Sequence, residues 1–336
     1  MRDRILRFYG KAYIAAAASV VGGSEYEGPL GGCFDMHDPT DKFGMKTWEM
    51  AESEMQRLAF NTALAKLSAS ERDVGALFAG DLLNQCVGSS YGLLDFDIPY
   101  FGLYGACSTA AEGLILAAMS TAAGYFETSA AVTSSHFCSA ERQYRTPIEY
   151  GAQRSPTAQW TVTGSGAFMV RPEGSVEIAE ALPGIVVEKG INDASNMGAA
   201  MAPAAADTIS RYFHISELSP DDFDLIVTGD LGSEGGEILC ELLLADGIDI
   251  RSRYNDCGIM IYDAKRQDKH AGGSGCGCSA VVLASYLYPK LASGELGNIL
   301  IVGTGAMMSP ASIQQGQAIP AVAHLLRLRS KKEKRR

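Results

Sequence analysis

Apolar positions recur at helical spacing between residues 48 and 67, at Trp48, Met55, Leu58, Ala59 and Leu64, and predict an amphipathic helix. The unbroken apolar run over residues 74–80 predicts a buried strand. Residues 98–103 read as a strand, Leu114 to Met119 as part of a helix, and residues 128–134 as the next strand. Residues 161–170 and 176–187 read as a pair of strands joined by a turn at Pro172-Glu173-Gly174. A small-residue helix follows over 197–213, interrupted early by Pro203. Then come a buried strand (224–229), a helix (237–245), a helix (278–291) and a buried strand (298–303). Strand and helix alternate throughout, which predicts an α/β protein.

The two halves of this pattern echo each other. Leu77-Phe78-Ala79-Gly80-Asp81-Leu82 matches Ile226-Val227-Thr228-Gly229-Asp230-Leu231, a strand ending in Gly-Asp-Leu. Each is followed by a glycine-flanked cysteine segment entering an apolar helix, at 105–119 and 272–286, and each helix by a strand. The repeat predicts two similar sheets with helices between and outside them. It divides the chain into halves at 1–171 and 172–325, with a basic tail over 326–336.

Composition narrows the function. Of 336 residues, 47% are hydrophobic and 20% charged, which is globular. The net charge of −11, with no basic stripe before the tail, excludes general nucleic-acid binding. The tail reads as frayed and solvated, or as a contact to an anionic membrane surface. Neither a signal peptide nor an apolar run of about 18 residues is expected from the pattern. The eight cysteines follow no secreted framework and fit a reducing compartment. Cys276-Gly277-Cys278 has only His270 as a further candidate zinc ligand, and reads instead as packing at a helix start. Gly22-Gly23, Gly31-Gly32 and Gly272-Gly273 match no phosphate loop. No cofactor or metal is expected.

The segment Tyr104-Gly105-Ala106-Cys107-Ser108-Thr109 carries the candidate chemistry. A thiol at a helix start is either an activated nucleophile or part of an anion-holding turn, with Ser108 as a further donor. His136, after the strand at 128–134, is a pocket donor or a structural group. Arg142 and Arg145 are bidentate partners for a carboxylate or a solvated face. Tyr104, Phe137, Tyr144 and Tyr150 either stack on a planar ring or belong to the core. Asp81 and Asp230 end equivalent strands; each either caps the next helix or faces a ligand.

Longer motifs bring in a resemblance. Ala79-Gly80-Asp81-Leu82-Leu83-Asn84-Gln85, the Cys107 segment, Thr133-Ser134-Ser135-His136 and Ala140-Glu141-Arg142-Gln143-Tyr144-Arg145-Thr146-Pro147 carry it in the first half. Met197-Gly198-Ala199-Ala200-Met201-Ala202-Pro203, Asn255-Asp256-Cys257-Gly258 and Gly272-Gly273-Ser274-Gly275-Cys276-Gly277-Cys278 carry it in the second. The duplicated chain resembles the thiolase superfamily, with β-ketoacyl-carrier-protein synthase III as the nearest enzyme group, and resembles more closely the stage V sporulation protein AD family. The resemblance implies a five-layered αβαβα thiolase-like fold, a homodimer, and binding of pyridine-2,6-dicarboxylate (dipicolinate) or its calcium chelate. It also implies a place as the membrane-peripheral member of the spore inner-membrane channel that imports dipicolinate, beside integral-membrane subunits. The ligand-binding set under this reading is Cys107, Ser108, His136, Asp81, Arg142, Arg145 and Ser274.

The resemblance also supplies a test for catalysis. A decarboxylating synthase uses a histidine and an asparagine as donors to the developing enolate. The histidine position here reads Thr228-Gly229-Asp230-Leu231, and the glycine-rich run 272–276 has no asparagine. The expectation is therefore a binding protein and not an enzyme. The alternative is an acyltransferase or ketoacyl synthase working from acyl-CoA or acyl carrier protein through Cys107.

Overall fold

A computed structural model describes residues 3–144 and 154–332. Ten strands form two five-stranded sets with identical order. The first half supplies β1 (Tyr13–Gly22), β2 (Ala76–Gly80), β3 (Tyr100–Leu103), β4 (Ser129–Ser135) and β5 (Gly164–Arg171). The second supplies β6 (Val176–Leu182), β7 (Leu225–Thr228), β8 (Tyr254–Asp256), β9 (Asn298–Ala306) and β10 (Ala321–Ser330). Neighbours run β3-β2-β4-β5-β1 and β8-β7-β9-β10-β6, parallel in the first two pairings and antiparallel in the last two. The sets meet where β1 pairs with β6 at Tyr13 and Ile14.

The helices make five layers with these sheets. α1 (Trp48–Leu67) packs Met55, Ala59 and Phe60 on the outer face of the first sheet, against Leu77, Ala130 and Met169. α4 (Met197–Ser216) and α5 (Gly232–Ala245) cover the second sheet, with Met201, Ile209, Tyr212 and Leu239 against Ile226, Leu300 and Leu325. Between the sheets lie α2 (Thr109–Ala122) and α6 (Cys276–Val282), which runs on through a π-turn at Leu283–Leu287. Their Leu114, Ala117, Val281 and Val282 join Phe168 and Val170 of β5 and Ile299 and Ile301 of β9 in the central core. Close packing here selects small residues: a Cβ at Gly166 on β5 would sit 2.8 Å from the Ala280 backbone of α6.

Local signals set the boundaries. Thr47 caps α1 through the Met50 N–H, and Ser68 ends it in the left-handed region at φ 53°. Matching capping boxes precede β2 and β7: Ser70 with Asp73, and Ser219 with Asp222.

Three readings of the sequence change. Residues 161–170 and 176–187 do not pair as neighbours; β5 and β6 both border β1, so the turn at Pro172-Glu173-Gly174 crosses from one half to the other. Strand β1 escaped the reading because its run of alanines alternates with nothing. α5 starts five residues before the expected 237, since Asp256 accepts from the N–H groups of Leu231 and Gly232 and fixes its entry. The residues read as the start of a basic tail complete β10, with Leu326 and Leu328 buried and Arg327 paired to Glu180 at 3.2 Å.

Candidate functional site

The segment 105–108 makes a tight elbow between β3 and α2. Ala106 takes φ 48°, a left-handed value that strains a non-glycine residue. The elbow is stapled from within: Ser108 Oγ donates to Gly105 O (2.6 Å) and Thr109 Oγ1 to Ala106 O (2.7 Å). Gly305 of β9 presses on it so closely that a Cβ there would lie 2.3 Å from Gly105 O. Cys107 emerges at the floor of a cavity of about 330 Å³, within the range of small-ligand sites. Tyr104, Tyr144 and Leu82 wall one side; Met197, Met308 and Ile313 wall the other; Ser274 and Gly275 complete the floor. The hydroxyls of Tyr104 and Tyr144 bond to each other. Glu141 is the one charged residue among the described lining.

Beneath the floor lies Asp230, fully buried. Its carboxylate accepts from Thr304 Oγ1 (2.7 Å), Ser274 Oγ (2.8 Å) and the Gly275 N–H (3.0 Å). Cys107 Sγ is 3.9 Å from Ser274 Oγ and interacts with Asp230 as well. Burial first, and then the negative charge of Asp230, push the Cys107 thiol well above its ordinary value. Burial likewise pushes the Asp230 carboxyl up. The helix start has not made this cysteine a thiolate.

The candidates from sequence therefore divide. Cys107 and Ser274 meet at the floor, and Tyr104 and Tyr144 line the cavity. Ser108 lies next to Cys107 but turns its hydroxyl back into the elbow. His136 does not reach the cavity. Its Nδ1 accepts from the Cys138 N–H (3.1 Å), so Nε2 carries the proton and donates to Asp41 O (2.8 Å). The ring is buried beside Trp48, and burial lowers its pKa, keeping it neutral.

Asp81 is spent locally too, accepting from the N–H groups of Leu83 (2.9 Å) and Ser89 (2.7 Å) and from Ser89 Oγ (2.6 Å). Arg142 pairs with Glu49 on the exterior and is half exposed. Arg145 and Tyr150 lie outside the described residues. Phe137, at the start of α3 (Phe137–Tyr144), stacks on Trp160 at 3.9 Å, and neither ring is among the lining residues. Of the two strand-end aspartates, Asp81 holds its following turn, as a cap would. Asp230 does not cap; Asp256 does that for α5.

Sequence reasoning missed Thr304, Asp256 and the buried Glu52. Thr304 had a signal, since it sits in Gly303-Thr304-Gly305 near the end of an apolar strand. Glu52 had none: it occupies one polar position of an amphipathic helix, yet it is buried and accepts from Ser134 (3.0 Å) and Ser139 (2.7 Å). Cys276 donates to Ser134 O (3.0 Å) and Cys278 packs in the central core. No group of three His, Cys, Asp or Glu side chains among the described residues is arranged to hold a metal ion.

Comparison with known proteins decides the family. The model of the family "Stage V sporulation protein AD" matches residues 2–329. The chain belongs to the stage V sporulation protein AD family. The family member from Bacillus subtilis (strain 168) is 43% identical over 313 residues, covering 93% of this chain and 92% of that protein. Solved structures of similar shape have low identity to this chain. The 3-oxoacyl-[acyl-carrier-protein] synthase III of Aquifex aeolicus has TM-score 0.58 at 12% identity, over 95% of this chain and 99% of that one. The corresponding synthase of Pseudomonas aeruginosa has TM-score 0.58 at 15%, over 96% and 99%. Acetamide-bound OleA of Xanthomonas campestris has TM-score 0.56 at 14%, over 96% and 100%. The fold is thiolase-like, and membership of the family connects the chain with sporulation.

Proposed function

We propose that this chain is a non-catalytic binding protein that receives dipicolinate, free or as its calcium chelate, in the cavity above Cys107. One observation carries the reading: the thiol of the elbow faces the carboxyl group of Asp230 and not an imidazole. A decarboxylating condensation builds negative charge on an enolate oxygen. A buried carboxylate at that point opposes it, where loss of even one donor typically costs ~10²–10³ in rate. The cavity has the size of a small ring compound, and the flat faces of Tyr104 and Tyr144 suit an aromatic one.

In this reading the protein hands its ligand to integral-membrane subunits of the spore channel and sits peripherally on the spore inner membrane. No helix among the described residues is long and apolar enough to cross a membrane. It works as a homodimer, for which β3 offers an unpaired edge carrying Tyr100 and Phe101, with Tyr91 and Leu94 exposed at 70% and 69% close by in the chain. Isothermal titration of purified protein with dipicolinate should give saturable heat in the wild type and none in Cys107→Trp, which fills the floor. Absence of heat from the wild type at millimolar ligand overturns the reading.

The retained elbow favours one competitor, acyl transfer through Cys107. Radiolabelled acyl-CoA leaving a stable label on the wild type and not on Cys107→Ala would establish that reading in place of the first.

A further inference from the structure

The hydrogen-bond directions on the cavity floor restrict the protonation state of what it holds. Asp230 draws to itself every donor around it: the Thr304 hydroxyl at 2.7 Å, the Ser274 hydroxyl at 2.8 Å and the Gly275 N–H at 3.0 Å. Thr304 Oγ1 in turn accepts from the Asp230 N–H at 3.2 Å. Cys107 Sγ lies 3.9 Å from Ser274 Oγ and interacts with the same carboxylate. Because Ser274 gives its hydroxyl proton to Asp230, what it turns to the cavity is the lone pairs of its Oγ. A fully ionised dicarboxylate would meet acceptors with acceptors there.

We infer that Asp230 is a positioning residue that makes the cavity floor a hydrogen-bond acceptor, so that the site selects a ligand presenting a proton, from a ring N–H or a carboxyl O–H, to Ser274. This rests on the dipicolinate reading above. A carboxylate of ordinary pKa is ionised near neutrality, so binding takes a proton from the buffer and places it on the ligand. The other ionisable groups around Asp230 are Cys107 from the elbow, Cys257 and Cys278 from neighbouring helices, Asp256 from the end of β8, and Glu141 across the cavity. Asp256, pushed up to about 6, is ionised by pH 7.5, which sets the pH for the measurement.

The test is titration of the whole protein with dipicolinate at pH 7.5 in two buffers of different ionisation enthalpy. The expected result is a buffer-dependent heat equal to uptake of about one proton, and affinity rising about tenfold per pH unit lowered from 8.5 to 7.5. Benzene-1,3-dicarboxylate, which lacks the ring nitrogen, separates the two donors: retained uptake assigns a carboxyl O–H, lost binding a ring N–H. In Asp230→Asn the amide can donate to Ser274 and free its hydroxyl for the ligand, so binding at whatever affinity should proceed without proton uptake. Should that variant not fold, Ser274→Ala removes the accepting oxygen and should likewise diminish the uptake. Dipicolinate heat that is independent of buffer, with affinity flat across that pH range, overturns this inference and leaves the binding reading standing. Heat that requires added calcium, with no proton taken up, overturns it in favour of a cation-bearing ligand. No dipicolinate heat at any pH overturns the binding reading and this inference with it.

Discussion

Asp81 and Asp230 end β2 and β7, the same strand in two repeats, and they do different work. Asp81 looks outward, away from the central helices, and ties down its own loop through Leu83 and Ser89. Asp230 looks toward the other half and organises Ser274, Thr304 and Cys107. The cysteines at the two equivalent helix starts diverge in the same way. Cys107 opens on the cavity, whereas Cys278 is enclosed in the central core. Duplication supplied two copies of one strand-end geometry. The cavity opens beside Cys107, between residues of both halves, while Asp81 and Cys278 serve packing and the local turn.

Breaking Asp81 should therefore cost folding. Asp81→Ala leaves the Leu83 and Ser89 N–H groups and the Ser89 hydroxyl unpaired in the interior, at ~1–3 kcal/mol each if nothing relaxes. A loss of about 3–5 kcal/mol is expected, read as a lower midpoint in urea. An unchanged midpoint would show that the two aspartates are not divided as described.

In pH response the halves are alike, each burying a carboxyl. Burial raises Glu25, in the first half, from 4.5 to about 7 and Asp256, in the second, from 3.8 to about 6. The folded protein then binds more protons than the unfolded chain between pH 4.5 and 7, so stability falls as pH rises through that window. For Glu25 this amounts to roughly 3 kcal/mol. Glu25→Gln should flatten the decline between pH 5 and 7, measured as urea midpoints at each pH.

Smaller in energy, but closer to function, is the thiol. Alkylation of Cys107 by iodoacetamide at pH 8, followed by mass spectrometry, should run more than about tenfold slower than for a free cysteine peptide, because a raised pKa leaves little thiolate. Asp230→Asn should quicken it by removing the opposing charge. A fast-reacting wild-type Cys107 would restore the enzyme reading.

Arg142→Ala should do least. Its pair with Glu49 is half exposed, and such pairs are worth ~0–1 kcal/mol. Dipicolinate titration should not register the change.

Much of the fold was legible because periodicity and capping are local. The helix over Trp48–Leu67 was readable from its apolar stripe, and the structure adds the Thr47 cap. The repeat was readable from Gly-Asp-Leu, and a further echo stood in the capping boxes of Ser70 and Ser219. Strand β1 was not readable, because alanines enclosed between helical layers carry no alternation. The site was half legible. Cys107 and Ser274 lie in turns whose small residues mark close approach. Asp81 and His136 were drawn in as strand ends, and Arg142 as a residue just downstream of one, but a place along the chain does not say to which side of a sheet a strand end turns.

The sequence by itself determined the duplicated α/β order and the elbow that carries Cys107. Only the tertiary structure decided that Asp230 lies beneath that cysteine, that His136 faces Trp48 and Asp41, and that β1 joins the two sheets. The reason is physical. Periodicity, caps and turns are settled among residues a few positions apart. The direction of a buried carboxylate is settled by donors 44 and 74 residues away in the chain, which meet it only when both halves have folded.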